Sequence, residues 1–189
     1  SLTKGGMTLS SIESQQKILN ALKKFSTKMS SGGSAANTVH GFSVLGGKTY
    51  YLGRVADDFH GQHYAQDMQS CGVAFSKTRN GTNNTGTCVV LVTPDSERTM
   101  LTHLGASSSL HPDNVEEKII EDSGMVYIEG YLWTSEETRN AAEKLATIAK
   151  NNKTPVAFTL SDAFVVNSFK DQIINFIRSS VDILFCNDV

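Results

Sequence analysis

The chain has 189 residues, 39% of them hydrophobic, enough to bury one sizeable core in a single domain or slightly more. Nineteen acidic and 17 basic side chains leave a net charge of −2, with no electrostatic footprint for nucleic acid or an anionic membrane. No apolar run approaches the roughly 20 residues of a membrane span, and no charged-then-apolar leader opens the chain.

The elements follow in chain order. Ile18, Leu22, Phe25 and Met29 recur at helical spacing and predict a helix over 12–29. Ser34 is placed to cap a second helix over 35–45, whose alanines and apolar residues predict burial. "KTYYLGRV" is a β-type run, and Asp57 or Asp58 then caps a helix ending near Cys71-Gly72. "VAFSKT", "TGTCVVLVT" and "RTMLTHL" are β-rich and separated by the turn-forming "RNGTNN" and "PDSE", which predicts two or three antiparallel strands. After Pro112 the pattern is regular: helix 113–121, strand 125–130, helix 135–150, strand 155–160, helix 167–179 and strand 182–186. Strands alternating with helices of this length predict βαβ units and a parallel sheet with helices on both faces. The fold class is therefore α/β with a small antiparallel insert.

Cys71, Cys88 and Cys186 are odd in number, far apart and without a C-x-x-C pair. They read as reduced thiols of a cytoplasmic protein rather than a disulfide framework or zinc site. The five histidines lack ligand spacing, so no metal site is expected on them.

The most informative stretch is "SGGSAANTVHGFSVLGGKT". A phosphate-binding G-x-x-x-x-G-K-[ST] loop needs a glycine five positions before Gly47, and Phe42 stands there. A dinucleotide fingerprint needs G-x-G-x-x-G after a strand, whereas Gly32 and Gly33 are adjacent and follow a predicted helix. Two readings remain open: a tight turn into a helix, or a polyol site. In the second, Gly32 and Gly33 let a ligand reach the backbone, and the Asn37 amide offers a donor and an acceptor to two neighbouring hydroxyls.

On these residues the chain resembles the ribokinase-like (PfkB-type) carbohydrate and nucleoside kinases. "SGGSAANTVHGFSVLGG", "YLGRVADDFHG", "TGTCVVLVTPDSERTMLTHLGAS", "YIEGYLW", "FTLSDAF" and "VDILFCND" follow that family's order, and "LTKGGMTL" resembles the segment after its first strand. Within the family, "SGGSAANT", "TGTC" and "FTLSDAF" lean toward the adenosine kinase branch. The resemblance implies a three-layer αβα core with a small antiparallel β lid over the substrate, the lid falling in segments 1–10 and 73–104. It implies transfer of the γ-phosphoryl group of ATP, with Mg²⁺, to a primary hydroxyl of a small-molecule nucleoside or sugar, adenosine to AMP foremost. A ribokinase or other sugar kinase is the alternative, and a non-catalytic sugar- or nucleoside-binding module is another.

Residue by residue, the resemblance implies that Gly32, Gly33 and Asn37 hold ribose hydroxyls. Cys88, Met100, Thr102 and Leu104 line the base pocket, and Tyr131 or Leu132, with Phe164, closes its apolar wall. Arg98 faces the reacting phosphate, although "PDSER" fits an exposed hairpin arginine equally well. Asn187 matches the first residue of the family's N-x-x-E motif for Mg²⁺ and phosphate, or is simply a polar strand end. The family's G-A-G-D motif, with its catalytic aspartate and anion hole, is absent from the 189 residues, and the N-x-x-E glutamate would fall at position 190. The chain is therefore expected to be the substrate-binding part of a kinase, inactive alone, without its C-terminal ATP-binding part.

Overall fold

A computed structural model describes residues 3–76 and 83–187. The order is β1 (Met7–Leu9), α1 (Ile12–Ala21), α2 (Ser34–Val44), β2 (Thr49–Tyr51), α3 (Phe59–Ser70), β3 (Val73–Phe75), β4 (Thr87–Val92) and β5 (Arg98–His103). It continues with α4 (Glu117–Glu121), β6 (Val126–Glu129), α5 (Glu136–Asn151), β7 (Val156–Thr159), α6 (Ala163–Ser180) and β8 (Ile183–Phe185).

The strands form three small sheets, in the orders β1-β5-β4, β2-β3 and β6-β7-β8. The last two are parallel throughout. Alternation of strand and helix after Pro112 thus produces the parallel sheet it predicts. β4 and β5 form the expected antiparallel hairpin, and β1 joins it in parallel alongside β5. "VAFSKT" departs from expectation: its strand, β3, pairs in parallel with β2 instead of joining the antiparallel insert. Val73 and Phe75 are buried there with Ala36, Val55 and Met68, so core burial overrides the turn signals around it. Most of the predicted "RNGTNN" turn lies outside the described residues.

The main core lies around β6 and β7. Trp133, Phe158 and Phe176 meet with ring centroids 4.7–5.2 Å apart. Such tilted aromatic contacts add to the gain from burying the rings. α5 buries Thr138, Ala141, Ala142, Ala146 and Ala149, a stripe at helical spacing, and its small side chains bring the helix close to the core. Among the described residues, no helix is long and apolar enough to cross a membrane.

Several boundaries differ from the sequence reading. The helix predicted over 12–29 stops at Ala21, leaving Phe25 58% and Met29 46% exposed. Their spacing is helical, but no core lies under them, and Ser, Thr and Gly in the following stretch favour other conformations. α2 is much less buried than its composition predicts: Ala36 alone is buried, and Val44 and Leu45 are 70% and 87% exposed. Residues 113–121 divide into a 3₁₀ turn, Pro112–Asn114, and the short α4. α6 begins at Ala163, capped by Asp162, with a bend at Phe169 where φ is −128°.

The hairpin joins the core through a well-tied crossing. The Asp58 carboxylate accepts from the Gly61 amide, the Thr85 amide and the Thr85 hydroxyl at 2.7–2.8 Å, and the Thr85 oxygen accepts from the Ala56 amide at 2.9 Å. Burial raises the Asp58 pKa, but these donors outweigh it and hold the carboxyl below its usual value. One side chain thus starts α3 and fixes the entry to β4. On the return, the Ala106 amide donates to the Asn84 carbonyl at 2.8 Å, and Gly105 takes a φ of 50° that suits glycine.

Candidate active site

The glycine-rich corner is held from three directions. The Ser31 amide donates to Asp67 at 3.2 Å, the Tyr64 hydroxyl donates to the Gly32 carbonyl at 3.3 Å, and the Ser34 hydroxyl donates to Glu129 at 2.8 Å. Gly33, not Ser34, is the residue preceding α2, with φ 111° and ψ 144°. That is the physical reason for the glycine: L-residues rarely adopt this backbone. The Ser34 side chain, expected to cap the helix, reaches instead to the end of β6. Asn37 stands in the first turn of α2, exposed, with its backbone N–H donating to the Gly33 carbonyl at 2.9 Å.

The two glycines differ in kind. A Cβ added at Gly32 meets nothing within 4 Å, whereas Gly33 is constrained by its own backbone. Gly33→Ala is expected to lower stability by about 1–3 kcal/mol, whereas Gly32→Ala leaves the melting midpoint close to wild type and weakens ligand binding, because the new methyl enters the open space. Thermal melts and nucleoside titrations of both variants check this. A Gly32→Ala protein that binds like wild type removes the case for close approach of a ligand there.

A second group gathers where β6 and β7 end. Glu129 is half-buried. Burial pushes its carboxyl above the usual range, against the opposing pull of the Ser34 hydroxyl and the Ala35 amide. Burial also raises the Tyr64 hydroxyl well above its ordinary value, so it remains a neutral donor to Gly32. Beyond Glu129 the chain turns, and Tyr131 meets Phe164 with ring centroids 6.5 Å apart. Tyr131 and Leu132 are both half-buried against the main core, with Phe164 more exposed. Ser161, in the loop before α6, has a positive φ of 67° and accepts from the Tyr131 amide at 3.4 Å. The two loops that carry the ring pair are thereby joined.

The third group is one face of the three-stranded sheet. Met100 pairs in register with Met7 and Val90, and Thr102 with Leu9 and Cys88. The period of two puts these side chains on one face, and Met7, Leu9, Cys88 and Val90 are exposed there. The Thr102 hydroxyl donates to the Cys88 sulfur at 3.4 Å. Leu104 continues this run just past the strand end and is also exposed. On the opposite side, the Gln15 amide of α1 donates to the Leu101 and Thr87 carbonyls at 2.8 and 3.0 Å. One side of the sheet is covered and the other is an open apolar platform. Arg98 lies opposite Val92 at the hairpin end of β5, exposed, about 20 Å along the strand from Leu104. Asn187 is exposed just past the end of β8.

The predicted residues thus collect into a glycine corner, a ring pair and an apolar platform, with Arg98 and Asn187 at separate edges. Sequence reading missed Glu129, Tyr64 and Asp67 as the groups that hold this arrangement; Asp58 caps α3 as expected, and its further tie to Thr85 was not foreseen. One signal was available for Glu129: an acid closing the otherwise apolar run "MVYIE". Among the described residues, no three His, Cys, Asp or Glu side chains come together as a metal site.

Known proteins similar to this chain agree with the α/β fold. The pfkB family of carbohydrate kinases matches residues 8–189. The chain is 32% identical over 149 residues to an adenosine kinase of Saccharomyces cerevisiae, covering 77% of this chain and 43% of that protein. It is 31% identical over 134 residues to a 5-dehydro-2-deoxygluconokinase of Halalkalibacterium halodurans, covering 68% of this chain and 40% of the relative. The crystal structure of adenosine kinase from Sinorhizobium meliloti superposes with a TM-score of 0.87 at 35% identity, covering 97% of this chain and 56% of that one. The chain therefore spans about half the length of the proteins it matches. With matched residues running from the first strand to the last, the chain belongs to the pfkB carbohydrate kinase family.

Proposed function

We propose that the chain is the acceptor-binding part of an ATP-dependent kinase that phosphorylates a nucleoside, adenosine to AMP, in the cytoplasm. One observation carries the reading: an open glycine corner, with Asn37 one turn into α2, in a fold that also presents an apolar platform and a ring pair. The corner takes vicinal hydroxyls, because a neutral amide and backbone groups bond hydroxyls without a charge to balance. Cys88, Met100, Thr102 and Leu104 on one side, and Tyr131, Leu132 and Phe164 on the other, take the base. The S. cerevisiae and S. meliloti relatives, both adenosine kinases, support this choice.

ATP supplies the phosphoryl group and Mg²⁺ offsets its charge. Arg98 would face the transferred group and Asn187 the metal-bound phosphate. An exposed amide carbonyl past a strand end suits a hard cation and lies where α/β folds place ligand groups. No G-x-G-D occurs in the 189 residues, so no catalytic base is assigned among them and the chain alone is proposed to be inactive. The H. halodurans relative supports a second reading, in which the acceptor is a free sugar or sugar acid.

Turnover of ATP by the parent protein with adenosine, ribose and fructose tests the choice. Preference for adenosine is expected. Preference for a free sugar selects the second reading, and binding of none of the three contradicts both.

A further inference from the structure

We infer that Glu129 is a positioning residue for the acceptor's hydroxyls, acting through Ser34 to hold the glycine turn and Asn37 against the end of β6. This rests on the reading of the glycine corner as the hydroxyl site.

Of the three ties on the turn, two run to α3, from Asp67 and Tyr64. α2 and α3 already share a core through Ala36, Met68 and Tyr64, so those ties act within one packed unit. The Ser34–Glu129 bond, 2.8 Å long, crosses to a different sheet, to the strand that leads through Gly130 into the Tyr131–Phe164 pair. It therefore sets the distance between the part of the site that takes hydroxyls and the part that takes the base. Asn37 is three residues after Ser34, almost one turn along the same side of α2. Fixing Ser34 therefore fixes the turn of backbone from which Asn37 projects. Displacements of about 1 Å matter at such a site, because hydrogen bonds weaken steeply off their preferred geometry.

The choice of an acid is informative. A half-buried carboxylate is costly to desolvate, and a neutral acceptor would satisfy Ser34 equally well in number of bonds. What the acid adds is a charge-assisted bond at the positive end of α2, which is tighter than a neutral one. Ser34 is the first residue of α2, just past the capping position that Gly33 holds, and its hydroxyl makes this contact.

The test uses the parent protein that carries these residues, as wild type, Ser34→Ala, Glu129→Gln, Glu129→Ala and the Ser34→Ala/Glu129→Ala double variant. Adenosine KM, ATP KM and the thermal midpoint are measured for each. Ser34→Ala and Glu129→Ala are expected to raise adenosine KM about 10-fold with ATP KM unchanged, and the double variant should be no worse than either single change. Glu129→Gln, which keeps a neutral acceptor, should fall between wild type and Glu129→Ala. Additive losses in the double variant, equal rises in both KM values, or a lowered midpoint with adenosine KM unchanged would each overturn the inference. If Glu129→Ala fails to fold, an unchanged adenosine KM in Ser34→Ala overturns it alone. Wild type that binds neither adenosine nor a sugar removes the functional reading itself, and this inference with it.

Discussion

Asn37→Ala should weaken nucleoside binding about 5- to 150-fold while leaving ATP affinity nearly intact. The estimate follows from two neutral hydrogen bonds worth roughly 0.5–1.5 kcal/mol each. Losses near the upper end are expected where a ligand hydroxyl is left desolvated and unpaired. The fold itself should tolerate the change, because Asn37 is exposed and alanine is a better helix former than asparagine. That separation makes the variant useful: an affinity loss without a stability loss belongs to the ligand. Asn37→Asp should lose less than alanine, since it keeps the acceptors and gives up only the donor. Isothermal titration with adenosine, beside a thermal melt, reads both quantities.

Phe158→Ala should have the largest effect on stability. Phe158 is fully buried in β7, in edge-to-face contact with Trp133 and Phe176 at 5.2 Å from each. Trp133 and Phe176 also pack on each other at 4.7 Å, which limits how far either ring can move into the space left behind. Truncation therefore leaves a cavity as well as losing the transfer energy of the ring, about 3–5 kcal/mol in total. For a chain of this size that corresponds to a fall of about 6 °C or more in the unfolding midpoint. A circular-dichroism melt within about 2 °C of wild type would show that the three-ring cluster does not hold the core together.

Legibility of the sequence followed burial. α5 and the strands β6 and β7 were readable because each carries an apolar pattern that the core uses. Ala141, Ala142, Ala146 and Ala149 recur at the helical period, and "VAF" is buried end to end. α1 was read too long because Phe25 and Met29 keep the period without a surface to pack on. α2 was read as buried because composition does not say how a helix is turned. It is placed by Ala36 and by its ties at the glycine corner, and its apolar C-terminal end stays exposed. β3 was assigned to the wrong sheet, since three residues do not carry their partner in their sequence; β2 and the small core decide it.

The candidate site divides in the same way. Gly33 was legible because the backbone entering α2, with φ 111°, suits glycine, and Asn37 stands in the first turn of that helix as expected. Cys88, Met100 and Thr102 came from the resemblance alone, and the strand register puts the three on one face. Glu129, Tyr64 and Asp67 were not legible, because each acts at long range on a turn far away in sequence. Ser34 does not cap because α2 begins at Ser34 itself: Gly33 holds the capping position, and the Ser34 hydroxyl reaches a carboxylate 95 residues away.

The central claim is that Asn37 and the glycine turn hold two vicinal hydroxyls. A double cycle tests it most directly: wild type and Asn37→Ala, each titrated with adenosine and with 2′,3′-dideoxyadenosine. If the amide holds those hydroxyls, the two changes remove the same contacts. Dideoxyadenosine should then bind wild type poorly and lose little more in Asn37→Ala, so the two losses do not add. Losses that simply add would show that Asn37 does not touch the hydroxyls, and would contradict the account.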